Sequence, residues 1–256
     1  MINPRPNLSG LQAPSLEKYG FRLTLTGRNE GNLALHIPCD TSQVIQARQR
    51  VLERLGLSLA NIAIAQQVHS ARVALIGPSH AGAGGMQASS AIPNVDGLIT
   101  SSGGPTLMAF SADCPLIAIV HPETGSRALL HSGRLGTLHE ISIQAVLHLQ
   151  KITLGNPESF HAIIGPGICR DCYPLGQDTA QEFIDSRWSN HLHQTRSDPP
   201  KLDLRACIRN QLQFVGIPDN KIEMLGPCTS CRNDLFFSYR ADGPQTGRFA
   251  AILQSL

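Results

Sequence analysis

Apolar positions along the chain fall into two patterns, and the first is a helical stripe. The apolar residues of SQVIQARQRVLERL recur every three or four positions, which predicts an amphipathic helix with Gly56 as its C-cap. Thr137 and Glu140 have the spacing of a capping box, so a second helix is expected to begin at Thr137. Asp203 is the predicted cap of another. The predicted helices cover 42–55, 137–149, 178–188 and 204–215.

The second pattern is a series of short apolar runs between turn residues, which predicts β-strands. The predicted strands are two segments within 62–76, then 96–100, 106–112, 115–121, 126–132, 159–165, 221–225, 235–240 and 247–253. Strands and helices alternate along the chain, which favours an α/β fold (an α+β layered sandwich) with a mixed β-sheet and flanking helices. We expect a flexible N-terminal arm over 1–20 and a single catalytic domain over 21–256.

Composition narrows the class of protein. The 256 residues are 41% hydrophobic and 16% charged, as in soluble globular proteins, and the net charge is +2 without a basic run. Nucleic acid is therefore not an expected partner, and no apolar run is long enough to predict a membrane span. The N-terminus lacks a signal-peptide pattern, so we expect a cytoplasmic protein whose seven cysteines are reduced. We expect a monomer or a small homo-oligomer.

Candidate chemistry is concentrated between Ser111 and Glu140. The tetrapeptide PETG is a natural tight turn, and a hairpin that pairs His121 with Ser126 places Leu116 opposite His131. Cys114 then lies on the same face as His131, about 7–8 Å away between Cα atoms, where both could bind one metal ion. A three-residue turn would put them on opposite faces. The ordinary alternative is a core cysteine and a hydrogen-bonded histidine.

A catalytic zinc site uses three protein ligands, so a third ligand is needed. His69 in QQVHS is the first upstream candidate, but spacing alone would equally allow His80 or His121.

Several motifs in their order along the chain resemble one family. They are QQVHS, DGLIT, SADCPLI, LLHSGRLG, IGPGICRDCYPLG, and CTSC with LFFSYRADGPQTGRFAA. Over residues 30–256 the chain is similar to the YfiH family, formerly called the multicopper polyphenol oxidase family. The resemblance implies a single α/β domain with Zn²⁺ held by His69, Cys114 and His131, and purine nucleoside phosphorylase and adenosine deaminase activities. Nucleoside and phosphate would then be its small-molecule partners.

Two positions depart from the family pattern. The family usually has His-Ala-Gly-Trp-Arg-Gly where this chain has HSGRLG over 131–136, so the Trp is absent and the Arg is displaced to Arg134. Ser70 follows His69 where the family usually has Gly.

The proposed chemistry requires proton transfer and phosphate binding. Asp96 and Asp113 are the candidate catalytic carboxylates, although Asp96 could be a turn residue and Asp113 a strand-end cap. Arg134, near a predicted helix N-terminus, and Arg248 are the candidate phosphate contacts, although Arg248 could be an ordinary surface residue in a turn.

The other cysteines form two C-x-x-C pairs. They are Cys169 with Cys172 and Cys228 with Cys231. We favour reduced thiols that line or support the substrate pocket, Cys228 among them, over a second zinc site. The His-Leu-His segment at 191–193 is interpreted as a solvated helix end.

Three other functions compete with the nucleoside enzyme. A copper-dependent polyphenol oxidase would need many His ligands, and the chain has ten His with one His-x-His pair. A peptidoglycan-precursor editing factor would have a pocket for peptide groups. A non-catalytic protein would follow if the change at Arg134 and Leu135 has abolished turnover. Candidate stacking aromatics are few, namely Phe110, Phe160, Tyr173, Phe236 and Phe237.

Overall fold

Two β-sheets packed face to face form the centre of the protein, in a computed structural model that describes residues 10–195 and 198–256. The first sheet has the strand order β1-β2-β13-β6-β3, and the second β12-β9-β7-β8-β5-β4. Strands β10 and β11 form a small separate ribbon. The strands are β1 Leu11–Gln12, β2 Phe21–Leu25, β3 Ile62–Ile64, β4 Val73–Ile76, β5 Gly97–Thr100, β6 Thr106–Ser111, β7 Leu116–His121, β8 Ser126–His131, β9 His161–Ile164, β10 Leu192–His193, β11 Lys201–Leu202, β12 Ile222–Met224 and β13 Phe249–Ser255.

Helices cover the outer faces of both sheets. Their bounds are α1 Thr41–Arg54, α2 Arg134–Leu138, α3 Ile141–Thr153, α4 Gln177–Ile184, α5 Leu204–Phe214 and α6 Tyr239–Asp242. Apolar side chains of α1 pack on the first sheet, and those of α3 and α5 pack on the second. The layers therefore run helix, sheet, sheet, helix in one mixed α/β domain, as the alternating pattern predicted.

Strand β7 shows why the central strands are apolar without alternation. Leu116, Ala118 and Val120 point into the core between the sheets, while Ile117 and Ile119 point towards α3 and α5. Both faces of the strand are buried, so every position favours an apolar side chain.

The predicted hairpin of β7 and β8 is confirmed with its register. His121 pairs with Ser126 and Leu116 pairs with His131. Gly125 closes the turn with a φ of 70°, a conformation that favours glycine. The four-residue turn therefore sets which face carries His131.

Other predictions were wrong in detail. The helix expected from Thr137 is split, because Glu140 adopts a left-handed conformation (φ 65°) and separates α2 from α3. The helix expected over 178–188 is the shorter α4. The predicted strand at 235–240 is irregular and leads into α6, whose N-cap is Ser238. The HLH segment was predicted correctly only in part, because His191 ends the short 3₁₀ helix Ser189–His191 whereas the next two residues form β10.

The expected flexible arm is also partly built into the fold. Residues 1–9 lie outside the described residues, but Leu11–Gln12 pairs with β2. A short 3₁₀ segment, Pro14–Tyr19, follows, and its Leu16 is buried in the core between the sheets. Within the described residues no helix combines the length and apolarity required to cross a bilayer.

Candidate metal centre and active site

The buried carboxylate of Asp96 organises the candidate site. It lies just before β5, and its Oδ2 accepts hydrogen bonds from the amides of Val68 (3.1 Å) and Ser70 (2.6 Å) and from the Ser70 hydroxyl (2.8 Å). Its Oδ1 accepts from the amide of His69 at 2.9 Å and lies 3.0 Å from Nδ1 of His131. One side chain thus fixes both the loop that carries His69 and the ring of His131.

This contact determines how His131 faces the site. An ionised carboxylate accepts hydrogen bonds only, so Nδ1 of His131 must carry the hydrogen and Nε2 is left free to bind a metal. Burial works against the charge on Asp96, but the hydrogen bonds from His131 and Ser70 outweigh it and lower its pKa to about 2. Asp96 therefore stays ionised at neutral pH. Ser70 supplies two of these hydrogen bonds, one from its backbone amide and one from its hydroxyl.

Three side chains converge where the chain passes between the sheets. His69 lies on the crossover from β3 to β4, Cys114 on the crossover from β6 to β7, and His131 at the end of β8. Their ligand atoms all lie within 4.8 Å of one another. Two imidazoles and one thiolate at this separation fit a tetrahedral Zn²⁺ that keeps a fourth position open, because Zn–N and Zn–S bonds are about 2.0–2.3 Å.

Gly133 allows this convergence. A Cβ atom at this position would lie 2.8 Å from Sγ of Cys114 and 3.2 Å from Cδ2 of His69. Any larger residue would therefore push the two ligands apart.

The electrostatics of the cluster favour a deprotonated thiol. Burial alone would raise the pKa of Cys114, but His131 and His69 outweigh burial and lower it to about 6. Burial would lower the pKa of His131, whereas Cys114 and Asp96 raise it to about 9. The thiolate is the form of cysteine that binds metals.

The three candidate ligands line one wall of a cavity of about 510 Å³. That volume is within the range of small-molecule sites. Three arginines, Arg134, Arg240 and Arg248, also line the cavity, so in the described part of the chain basic side chains outnumber the one carboxylate there, that of Asp113. Phe110, Tyr173 and Tyr239 contribute aromatic surface to the same cavity.

Asp113 borders this cavity in a conformation that its neighbours enforce. Its φ is 99°, which is rare for a residue with a side chain and costs about 1–3 kcal/mol. Its Oδ1 accepts hydrogen bonds from the hydroxyls of Thr229 (2.6 Å) and Ser238 (2.7 Å), and its Oδ2 accepts one from the amide of Arg240 at 2.7 Å. These bonds hold the strained turn that presents Cys114.

Comparison with known proteins identifies the family. The sequence model of the family described as "Multi-copper polyphenol oxidoreductase laccase" matches residues 24–255. The chain belongs to this family.

Several relatives of this chain carry enzyme names. The chain is 31% identical to "Purine nucleoside phosphorylase YlmD" of Geobacillus stearothermophilus over 97% of this chain and 91% of the relative. The crystal structure of YlmD superposes with a TM-score of 0.87 over 92% of each chain. The chain is also 29% identical to "Adenosine deaminase RL5" of an unknown prokaryotic organism, over 85% of this chain and 84% of the relative.

A structural neighbour confirms the fold. The hypothetical protein YfiH of Bacillus licheniformis superposes with a TM-score of 0.91 over 100% of this chain and 98% of that chain, at 24% sequence identity. The resemblance to the YfiH family is therefore confirmed, and so is the mixed α/β fold.

The site residues predicted from the sequence lie in three places. His69, Cys114, His131, Asp113, Arg134 and Arg248 all border the cavity. Asp96 lies behind His131 and contacts the ligands rather than the cavity. Cys228 lies instead in a separate cluster with Cys169, Cys172 and Cys231.

The alternative third ligands lie elsewhere. The ring of His80 contacts the backbone of Gly77 on the surface, and His121 hydrogen-bonds to Thr124 at the opposite end of β7. Of the candidate aromatic residues, Phe160 and Phe236 are buried in the hydrophobic cores.

Sequence reasoning missed His36, Gln67, Tyr239 and Arg240 on the cavity wall. His36 precedes α1 in a segment without periodicity, so nothing in the pattern marked it. Partial burial of the ring and the nearby positive charge of Arg248 lower the pKa of His36 to about 4, so the ring is neutral at neutral pH. Gln67 could have been suspected from QQVHS. The side-chain amide of Gln67 donates to the Phe110 carbonyl at 2.8 Å and accepts from the Phe110 N–H at 2.9 Å.

Gly133→Ala should weaken metal binding at the three-ligand site. Overpacking of this kind costs about 1–3 kcal/mol, so we expect roughly a 5–150-fold lower Zn²⁺ affinity in a competition titration with a chelator. Gly77→Ala is the matched control, because a Cβ there meets nothing within 4 Å and φ is already negative. Equal affinities in the two variants would contradict the proposed geometry.

Asp96→Asn should lower Zn²⁺ affinity by about 10–100-fold, because the amide cannot accept hydrogen bonds from both the His69 loop and His131. The same titration measures this loss, with the exposed Asp178→Asn as control. Unchanged affinity with a folded variant would show that Asp96 does not orient the ligands.

Proposed function

We propose that this chain is a zinc-dependent purine nucleoside enzyme that cleaves nucleosides with phosphate and also deaminates adenosine. The observation that carries the proposal is one cavity bordered by a His-Cys-His ligand set, three arginines and aromatic side chains. The relatives named purine nucleoside phosphorylase and adenosine deaminase support it.

Zinc is the metal that we propose for the three-ligand site. When bound, it would act there as a Lewis acid on the group in its fourth position. A multicopper oxidase needs several copper sites rich in His, whereas His69 and His131 are the only histidines that join a cluster of metal-binding side chains in the described residues. The copper alternative is therefore disfavoured.

Phosphorolysis requires an anion beside the ribose anomeric carbon. Phosphate oxygen forms a bond to that carbon while the C–N bond to the purine breaks, and the electron pair of that bond leaves with the base. Arg134, Arg240 and Arg248 supply the positive charge that would hold phosphate in the cavity. Arg134 lines the cavity although it is displaced from the usual position, and its guanidinium also forms an ion pair with the exposed Glu182, which offsets part of its charge.

The two candidate carboxylates, Asp96 and Asp113, have different roles in this proposal. Both oxygens of Asp96 are taken up by the His69 loop and His131, so we assign it as a positioning residue. Asp113 borders the cavity; its Oδ1 accepts from two hydroxyls, but within the described residues its Oδ2 accepts only one hydrogen bond, from the Arg240 amide, and so keeps a free lone pair. We assign Asp113 as the proton-transfer group, which deamination requires when ammonia leaves the purine.

Turnover assays test the proposal. Adenosine, inosine, guanosine and methylthioadenosine are incubated with the zinc-loaded protein, with and without phosphate, and free base and ammonia are measured. We expect phosphate-dependent base release that falls to the uncatalysed level in Cys114→Ala and His131→Ala. Wild-type protein with zinc at this site that releases neither base nor ammonia would refute the proposal. Activity on peptidoglycan precursors instead would favour the editing factor.

Arg248→Met should separate phosphorolysis from deamination. Loss of one hydrogen bond to a charged group costs about 1.5–3 kcal/mol, so we expect the KM for phosphate to rise roughly 10-fold to 100-fold. Ammonia release from adenosine without phosphate should change far less. Arg50→Met, on the exposed face of α1, is the control. Equal loss of both activities would assign Arg248 to the nucleoside rather than to phosphate.

A further inference from the structure

The two C-x-x-C pairs converge outside the cavity wall, although about 60 residues separate them in sequence. Sγ of Cys231 lies 3.4 Å from Sγ of Cys172 and 3.9 Å from Sγ of Cys169. With Cys228 included, the four sulfur atoms all lie within 4.8 Å of one another. No part of the nucleoside chemistry proposed above uses them.

The sulfur positions fit a tetrahedron around one metal ion. With Zn–S bonds of about 2.3 Å, the edges of such a tetrahedron are about 3.8 Å long. The two S···S distances, 3.4 and 3.9 Å, lie on either side of that value. They are far longer than the roughly 2.05 Å of a disulfide bond.

The surroundings of Cys228 suit a thiolate ligand. Its Sγ accepts hydrogen bonds from the amides of Cys169 (3.2 Å) and Cys231 (3.4 Å), one from each pair. Arg205 lies close enough to interact electrostatically with Cys228 and Cys169, and its guanidinium is anchored on the carbonyls of Leu225 and Gly226. Four thiolates with one divalent ion carry a net charge of −2, which this cation and these amides would partly offset.

We propose that Cys169, Cys172, Cys228 and Cys231 form a structural tetrathiolate Zn²⁺ site, separate from the His69, Cys114 and His131 set. Four cysteine ligands complete the coordination and leave no position for substrate, so the site holds the chain rather than reacting. The inference does not depend on the proposed nucleoside activity.

The site would clamp two segments that meet at Asp113. Thr229, between Cys228 and Cys231, donates to the Asp113 carboxylate, and the amide of Ile168, next to Cys169, donates to the Asp113 carbonyl at 2.8 Å. The amide of Thr229 also reaches the carbonyl of Gly167 at 3.4 Å. The ion would therefore fix the partners that hold the strained Asp113 turn.

Metal counting on the full chain tests the proposal. Protein purified without chelator is analysed for zinc by elemental analysis and native mass spectrometry. We expect two Zn²⁺ per chain in the wild type, and one in the Cys114→Ala/His131→Ala double variant. In that double variant, X-ray absorption should show only sulfur ligands at about 2.3 Å.

Variants of the cluster complete the test. Cys231→Ser should remove one zinc, whereas Cys231→His should retain it with one nitrogen ligand, which guards against a loss caused by misfolding. Cys39→Ser, at an exposed cysteine outside the cluster, should leave both ions in place. Hydrogen exchange over residues 228–232 should be faster in Cys231→Ser than in Cys39→Ser.

Three results would overturn the proposal. They are a folded double variant that binds no metal, iron in place of zinc at the cluster, and a native disulfide between Cys172 and Cys231 shown by peptide mapping. Each is read without any activity measurement, so failure of this site and failure of the nucleoside assay are distinguishable.

Discussion

The hydrogen-bonded carboxylate of Asp96 is the interaction on which the candidate site depends. A buried charge is costly unless it is paired and hydrogen-bonded, and here the amides of Val68, His69 and Ser70, the Ser70 hydroxyl and the His131 ring satisfy it. Those contacts join a crossover loop to the end of β8, which are distant in sequence. His69 has a φ of 59°, and the three consecutive amides that turn towards Asp96 explain why that conformation persists.

The double-sheet architecture places this carboxylate where the chain changes sheets. The β3–β4 and β6–β7 connections both pass from the first sheet to the second, and they carry His69 and Cys114. These two connections have irregular backbone where they carry His69 and Cys114, whereas β7 and β8 are regular strands that are buried on both faces. The site therefore combines one ligand on a fixed strand with two on loops, and hydrogen bonds to Asp96 and Asp113 supply the rigidity that those loops lack.

Local sequence was sufficient for the hairpin but not for the whole site. The PETG turn determines the β7–β8 register, so the proximity of Cys114 and His131 could be predicted from spacing, although Cys114 lies in the bend before β7. His69 could not be separated from His80 or His121, because that choice depends on which loops meet after the sheets pack. The irregular segment at 235–240 was missed for a similar reason, because hydrogen bonds from the Ser238 hydroxyl and the Arg240 amide to Asp113 override local propensity there. At the missed break, the Glu140 carboxylate accepts a hydrogen bond from the Trp188 indole, 48 residues away. The three arginines that line the cavity likewise come from two distant parts of the chain, α2 and the stretch from α6 to the start of β13.

Asp113 links the two cysteine-containing clusters. Cys114, its covalent neighbour, belongs to the three-ligand set that borders the cavity, while Thr229, its hydrogen-bond partner, lies between two members of the four-cysteine cluster. Its φ of 99° is unfavourable, so the turn needs external restraint to keep the Cys114 sulfur near His69 and His131. Hydrogen bonds from the Thr229 and Ser238 hydroxyls and from the Arg240 amide provide that restraint. Thr229 lies between Cys228 and Cys231, and Arg240 itself lines the cavity. A metal ion at the proposed four-cysteine site would therefore act on Asp113 through the hydrogen bonds from Thr229 and Ile168, and it would lie outside the cavity.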